Sequence, residues 1–149
     1  SNLTKGLHTD RIAKIGLAES IRFELYALKK AGILQVQFSL DGTEIELNEQ
    51  KSIFLFRIFQ ESLNNILKHS KATTLVVHLS FSEELFTMEI TDNGVGFDVA
   101  AKRGSANSYS GVGLKSVFNR AKLIGADLSI DSSPSKGTTI WIELPLEKE

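Results

Sequence analysis

Apolar positions along the chain switch repeatedly between two periods, and the switches divide it into elements. Leu17, Ile21, Leu25 and Leu28 recur at helical spacing and Gly32 supplies a stop, which predicts a helix from Leu17 to about Ala31. Residues 3–15 are mixed and weakly patterned. Leu34, Val36, Phe38 and Leu40 alternate strictly with polar residues and close on Asp41-Gly42, a strand followed by a turn. Asn48 is placed to cap a long helix from about Glu49 to His69, rich in Ile, Leu and Phe. Two strands follow, about Thr74–Phe81 and Leu85–Asp92, joined at Ser82-Glu83-Glu84 with the parities of a half-buried antiparallel hairpin. Periodicity is lost over residues 97–112. It returns as a third helix from about Val112 to Ile124, with Leu114, Val117, Ala121 and Ile124 on one face and Gly125 as its stop. The last strands, about Ala126–Ser132 and Gly137–Leu144, flank Ser133-Pro134-Ser135-Lys136.

Helix, strand, helix, two strands, helix, two strands is an α+β set. The simplest arrangement is a two-layer sandwich in which about three helices cover one face of a mixed, mainly antiparallel sheet. At 149 residues the chain is one domain of ordinary size, able to bury roughly 68–70% of its unfolded surface. A net charge of −1 gives no basic excess, so nucleic acid is not an expected partner. The absence of cysteine removes disulfides, thiolate metal sites and cysteine nucleophiles, and fits a reducing compartment. No apolar run approaches the ~20 residues of a membrane span, so no membrane contact is expected of this domain. The chain starts Ser1-Asn2 without an initiating Met and reads as a soluble, cytoplasmic piece of something longer.

Three constellations bear chemistry. On the long helix Glu61, Asn65 and Lys68 are spaced by four and three, which stacks them on one face opposite Leu55, Phe59, Leu63 and Ile66. A solvated polar face has the same pattern. A binding face would use the Asn65 amide oxygen for a hard cation such as Mg²⁺, which needs only one or two protein oxygens, with Lys68 near a phosphate. His69 next to them is a lone histidine at a helix end, read as a cap or packing residue.

The second constellation closes a strand. Phe86, Met88, Ile90 and Asp92 share one strand face, so Asp92 extends an apolar row into Asn93-Gly94-Val95-Gly96. An ionised carboxylate there is costly to desolvate without a donor, and the glycines allow close approach to the backbone. An ordinary turn also places Asp and Gly after a strand. Thr138 follows Gly137 and shares parity with Ile140 and Ile142; beside Asp92, its hydroxyl could help read the edge of a heterocycle. Third, Gly111-Val112-Gly113-Leu114 opens a helix, where bare amides suit an anion. No GxxxxGK[ST] loop occurs, and Gly94 and Gly96 precede no helix, so neither common nucleotide fingerprint is present.

Taken in order, these motifs resemble the ATP-binding catalytic domain of sensor histidine kinases, within the wider family shared with gyrase, Hsp90 chaperones and mismatch-repair ATPases. The stretch from Phe59 to His69 is similar to that family's N-box, Asp92-x-Gly94-x-Gly96 to its first glycine box, and Gly111-x-Gly113-Leu114 to its second. The resemblance extends from about Gly16 to the end. Gln60-Glu61 with Lys68-His69, and the Ile15-Gly16-Leu17 step, resemble the subgroup of nitrate and membrane-fluidity sensors.

The resemblance implies a Bergerat-type fold over residues 16–149, with residues 1–15 a linker or the end of a preceding dimerisation helix. It implies that Asp92 accepts from the adenine amino group, Thr138 holds part of that network, and Gly94 and Gly96 let the base lie against the strand end. Asn65 would coordinate Mg²⁺ and Lys68 would sit near the phosphates. Gly111, Val112, Gly113 and Leu114 would bring helix amides to the triphosphate. Residues 98–110 would form a lid over ATP, with Lys102 and Arg103 as candidate phosphate contacts. Glu61 would be catalytic, organising the metal or its waters; in gyrase-like relatives the matching Glu activates water for hydrolysis.

A histidine kinase also needs a phosphoacceptor histidine on a dimerisation hairpin. His8, His69 and His78 are the only histidines and none suits that role. The implied partners are therefore the kinase's own dimerisation domain and a response regulator, in a parent that can be membrane-anchored. The alternatives are an anti-sigma-factor-like serine kinase, a free-standing ATPase of the same fold, and a nucleotide-binding regulatory module without turnover.

Overall fold

The computed structural model describes residues 2–98 and 114–147, with side chains from residue 9 onward. Helix α1 spans Asn2–Lys30, so it starts well before the stripe that begins at Leu17. Its first half is anchored by individual contacts instead of a stripe. Ile12 is buried, and the Arg11 guanidinium lies 2.9 Å from Glu24 and 4.3 Å from the centre of the Phe23 ring. The helix breaks at Gly16, whose φ of 83° and ψ of 171° belong to a region essentially closed to side-chain-bearing residues. Glu44 Oε2 accepts from the Ala18 N–H at 3.3 Å, placing a carboxylate at the start of the second half.

Strand β1 is Gln35–Asp41 and helix α2 is Glu49–Asn65, capped as expected by the Asn48 side chain, which accepts from the Lys51 N–H at 2.8 Å. The helix ends in a wider π turn, Ile66–Ser70. Strands β2, Thr74–Phe81, and β3, Leu85–Asp92, precede helix α3, Leu114–Leu123, and strands β4, Asp127–Ser132, and β5, Thr138–Pro145.

The sheet runs β1-β2-β3-β5-β4, with β1 parallel to β2 and all other pairs antiparallel. Its register aligns Phe38, Val77, Ile90, Ile140 and Ile130 in one cross-strand row. That parity is the core face, joined by Ile21 and Leu25 of α1, Phe56 and Phe59 of α2, and Val117 and Ala121 of α3. The mixed two-layer α+β arrangement read from the periodicities is the one observed. The next row towards the loops runs Val36, Leu75, Asp92, Thr138 and Ser132. It continues the core parity, but three of its members are polar. Among the described residues, no helix is long and apolar enough to cross a membrane.

Candidate functional site

Asp92 and Thr138 of that row form one wall of a cavity of about 160 Å³. Ile90 and Ile140 give it an apolar floor, while Asn65, Ile66 and His69 approach from the end of α2. Val95, Gly96 and Phe97 close another side, and Leu114 at the start of α3, itself buried, completes the lining. Complete small-molecule sites measure about 300–1,000 Å³, so the cavity suits one ring system and not a whole nucleotide.

Asp92 is 5% exposed. Burial pushes its carboxyl above the ordinary aspartate value, while the backbone N–H groups of Gly94 and Thr138 pull in the other direction. The Gly94 N–H donates to Asp92 Oδ1 at 2.7 Å, closing a local turn. The turn expected of an Asp-x-Gly sequence and the buried carboxylate are therefore both present, in the same residue.

Asn93 joins the start of β2 to the end of β3. Its Oδ1 accepts from the N–H groups of Thr73 and Thr74, both at 2.9 Å, and its Nδ2 donates to Thr73 Oγ1 at 2.8 Å. The loop then folds onto the end of α2, where the Val95 N–H donates to the Ser70 carbonyl at 2.7 Å. A Cβ at Gly94 would run into that Ser70 carbonyl, and one at Gly96 into the Ser133 carbonyl. Both glycines are thus demanded by protein packed against protein, which brings the loop close enough to shape the cavity.

Thr138 pairs with Asp92 across the sheet, and its hydroxyl lies 2.7 Å from Ser132 Oγ. Ser132 Oγ also accepts from the Phe97 N–H at 2.9 Å, linking β4 to the glycine loop. Sequence reasoning did not single out Ser132, although it shares parity with Leu128 and Ile130, whose side chains pack against the core.

Asn65 reaches the cavity from the opposite wall. Among the described residues, its Nδ2 is buried with no hydrogen-bond partner. An amide can turn over to present its oxygen in the same place, so this side chain is equipped for either a donor's or an acceptor's role.

The remaining predicted residues are less central. Lys68 is exposed and does not line the cavity, whereas His69 does. The stripe from Glu61 through Asn65 to Lys68 assumed a continuous α-helix, and the π turn from Ile66 to Ser70 resets the side-chain directions beyond Asn65. Glu61 lies a turn before Asn65, outside the cavity, with Oε1 3.4 Å from Arg120 Nη1 of α3. Gly111, Val112, Gly113, Lys102 and Arg103 lie outside the described residues, as does nearly all of the expected lid. No three His, Cys, Asp or Glu side chains converge among the described residues, so a metal here would rest on Asn65 and on oxygens of a ligand.

A family profile described as histidine kinase-, DNA gyrase B-, and HSP90-like ATPase matches residues 50–148. The chain is 39% identical over 112 residues to an uncharacterized sensor-like histidine kinase of Chloroflexus aurantiacus, covering 72% of this chain and 19% of that protein. It is 38% identical over 133 residues to the sensor protein VraS of Staphylococcus saprophyticus, covering 89% and 36%. It is 28% identical over 145 residues to the oxygen sensor histidine kinase NreB of Staphylococcus carnosus, covering 97% and 41%. The chain thus spans less than half the length of each of these relatives. In fold it is similar to the histidine kinase domain of the Erythrobacter litoralis EL346 blue-light activated histidine kinase. The TM-score is 0.63 at 19% identity, over 87% of this chain and 65% of that one. A match across more than half its length makes this chain a member of the histidine kinase-, DNA gyrase B- and HSP90-like ATPase family.

Proposed function

We propose that this chain is the ATP-binding catalytic domain of a sensor histidine kinase, donating the γ-phosphoryl group of ATP to a histidine on a dimerisation domain outside this sequence. One observation supports the reading: the buried carboxylate of Asp92 and the buried Nδ2 of Asn65, which has no hydrogen-bond partner among the described residues, line the same small, largely apolar cavity. Asp92 would accept from the exocyclic amine of adenine, with the Thr138 and Ser132 hydroxyls completing the polar edge. Ile90, Ile140 and Phe97 would hold the faces of the ring.

Asn65 would hold Mg²⁺ through its amide oxygen. When bound, the metal supplies neutralisation of the phosphate charge and orientation of the transferred group. Leu114 anchors the start of α3 in the cavity wall, and the preceding Gly111, Val112 and Gly113 would offer backbone amides to the phosphates. Lys68 would pair with phosphates from outside the cavity. Residues 1–15 would be the end of a dimerisation helix, joined at the Gly16 break to the ATPase domain of residues 16–149. The response regulator would be a partner of the full-length cytoplasmic kinase module. His78, on the far side of the sheet, is held by Ser39 at 2.6 Å and Asp41 at 3.2 Å and would take no part.

The test is transfer from γ-labelled Mg-ATP to the parent's dimerisation segment supplied in trans. Acid-labile, alkali-stable label on that segment is expected. Acid-stable label on serine would favour the serine-kinase alternative, and release of free phosphate alone an ATPase.

A further inference from the structure

Glu61 and Asn65 are one helical turn apart on α2, and Ser116 and Arg120 are one turn apart on α3. The two helices bring these pairs together. Arg120 Nη1 lies 2.7 Å from Ser116 Oγ and 3.4 Å from Glu61 Oε1. A single guanidinium therefore bridges the first turn of α3 to the polar face of α2 that ends at Asn65. Both charged side chains remain about one-third exposed, at 30% and 35%. Exposed pairs of this kind are worth only about 0–1 kcal/mol, too little to make the bridge a main support of the fold.

What the bridge does fix is direction. Long acidic side chains on a helix surface sample several rotamers, and the contact that holds the Glu61 carboxylate among the described residues is the one to Arg120. Arg120 Nη1, itself held 2.7 Å from Ser116 Oγ, favours the one that brings Oε1 to it. It also links the orientation of Glu61 to the helix that begins at Leu114.

We propose that Arg120 is a positioning residue: it orients Glu61 for its work on the metal and phosphates and ties that carboxylate to the start of α3. This rests on the reading that the cavity binds Mg-ATP. A direct phosphate contact by Arg120 would be a different role, and the two separate in a double-mutant cycle.

The experiment measures Mg-ATP affinity by calorimetry and thermal midpoint for the wild-type chain, Arg120→Ala, Arg120→Lys, Glu61→Gln, and Arg120→Ala with Glu61→Gln. Arg120→Ala should weaken Mg-ATP binding about 5–10-fold, within the range of residues coupled in one network. In the Glu61→Gln background the same change should cost nothing further. Arg120→Lys should recover part of the loss, and ADP affinity measured with a chelator and the thermal midpoint should hardly move. An equal loss in both backgrounds, a parallel fall in chelated-ADP affinity and midpoint, or no loss in Arg120→Ala would each overturn the role of Arg120 while leaving the nucleotide site intact. No Mg-ATP binding by the wild type would overturn both.

Discussion

Asp92 and Thr138 sit directly opposite each other on β3 and β5, and the Thr138 hydroxyl is in turn 2.7 Å from Ser132 on β4. Three adjacent strands thus place polar side chains at the same end of an otherwise apolar row. The strands are sheet core up to Ile90 and Ile140 and carry a polar edge one step beyond them. Such an edge carries an energetic cost while no ligand donor meets it.

That cost gives the first prediction. Burial raises the Asp92 carboxyl above its unfolded value, so the native state binds more protons between the two values. The associated stability is fully present below the unfolded value of about 3.9 and is lost as pH rises through the raised one. Asp92→Asn keeps an oxygen for the Gly94 N–H and removes the charge. The variant should melt about 2–4 °C above wild type near neutral pH, the shift that about 1 kcal/mol gives a domain of this size. The advantage should shrink towards acid. Thermal melts of both proteins across that range check the sign.

Gly94 is held against Ser70 by backbone packing, with no room for a side chain. Gly94→Ala should cost about 1–3 kcal/mol, as overpacked sites do, and lower the melting temperature by several degrees. Nucleotide affinity should fall with it, because the same contact sets the position of the cavity wall formed by Val95 and Gly96.

The Asn93 side chain makes three hydrogen bonds to Thr73 and Thr74 and none of the cavity lining. Asn93→Ala should destabilise the domain by about 0.5–1.5 kcal/mol, because the two exposed backbone N–H groups it leaves can turn to water. Denaturant melts should show a lower midpoint at an unchanged slope. Mg-ATP affinity, measured well below the new midpoint, should change little.

The positions of Asp92 and Thr138 were legible because strand parity is strict: every second residue shares a face, so a polar residue ending an apolar row is visible in the letters alone. Asn48 as a cap and the stripes of α2 and α3 were legible for the same reason. The first half of α1 was not, because Ile12 and the Arg11–Glu24 pair hold it by tertiary contacts that leave no periodic trace. That His69 and not Lys68 lines the cavity was not legible, because a π turn shifts side-chain direction without a composition signal. The bridge from Glu61 to Arg120 spans 59 residues of sequence, and only the packing of α2 on α3 brings its ends together.

The central claim is that Asp92 reads the base. Adenine presents an amino donor where guanine presents a carbonyl acceptor, so a buried carboxylate should accept one and repel the other. Calorimetric affinities for Mg-ATP and Mg-GTP, in wild type and in Asp92→Asn, measure this directly. The account predicts a wild-type preference for ATP of about 100-fold or more, as for sites that leave a buried polar group unpaired with the wrong ligand, and its collapse in Asp92→Asn. Equal affinity for the two nucleotides in the wild type, or a preference that survives Asp92→Asn, would contradict it.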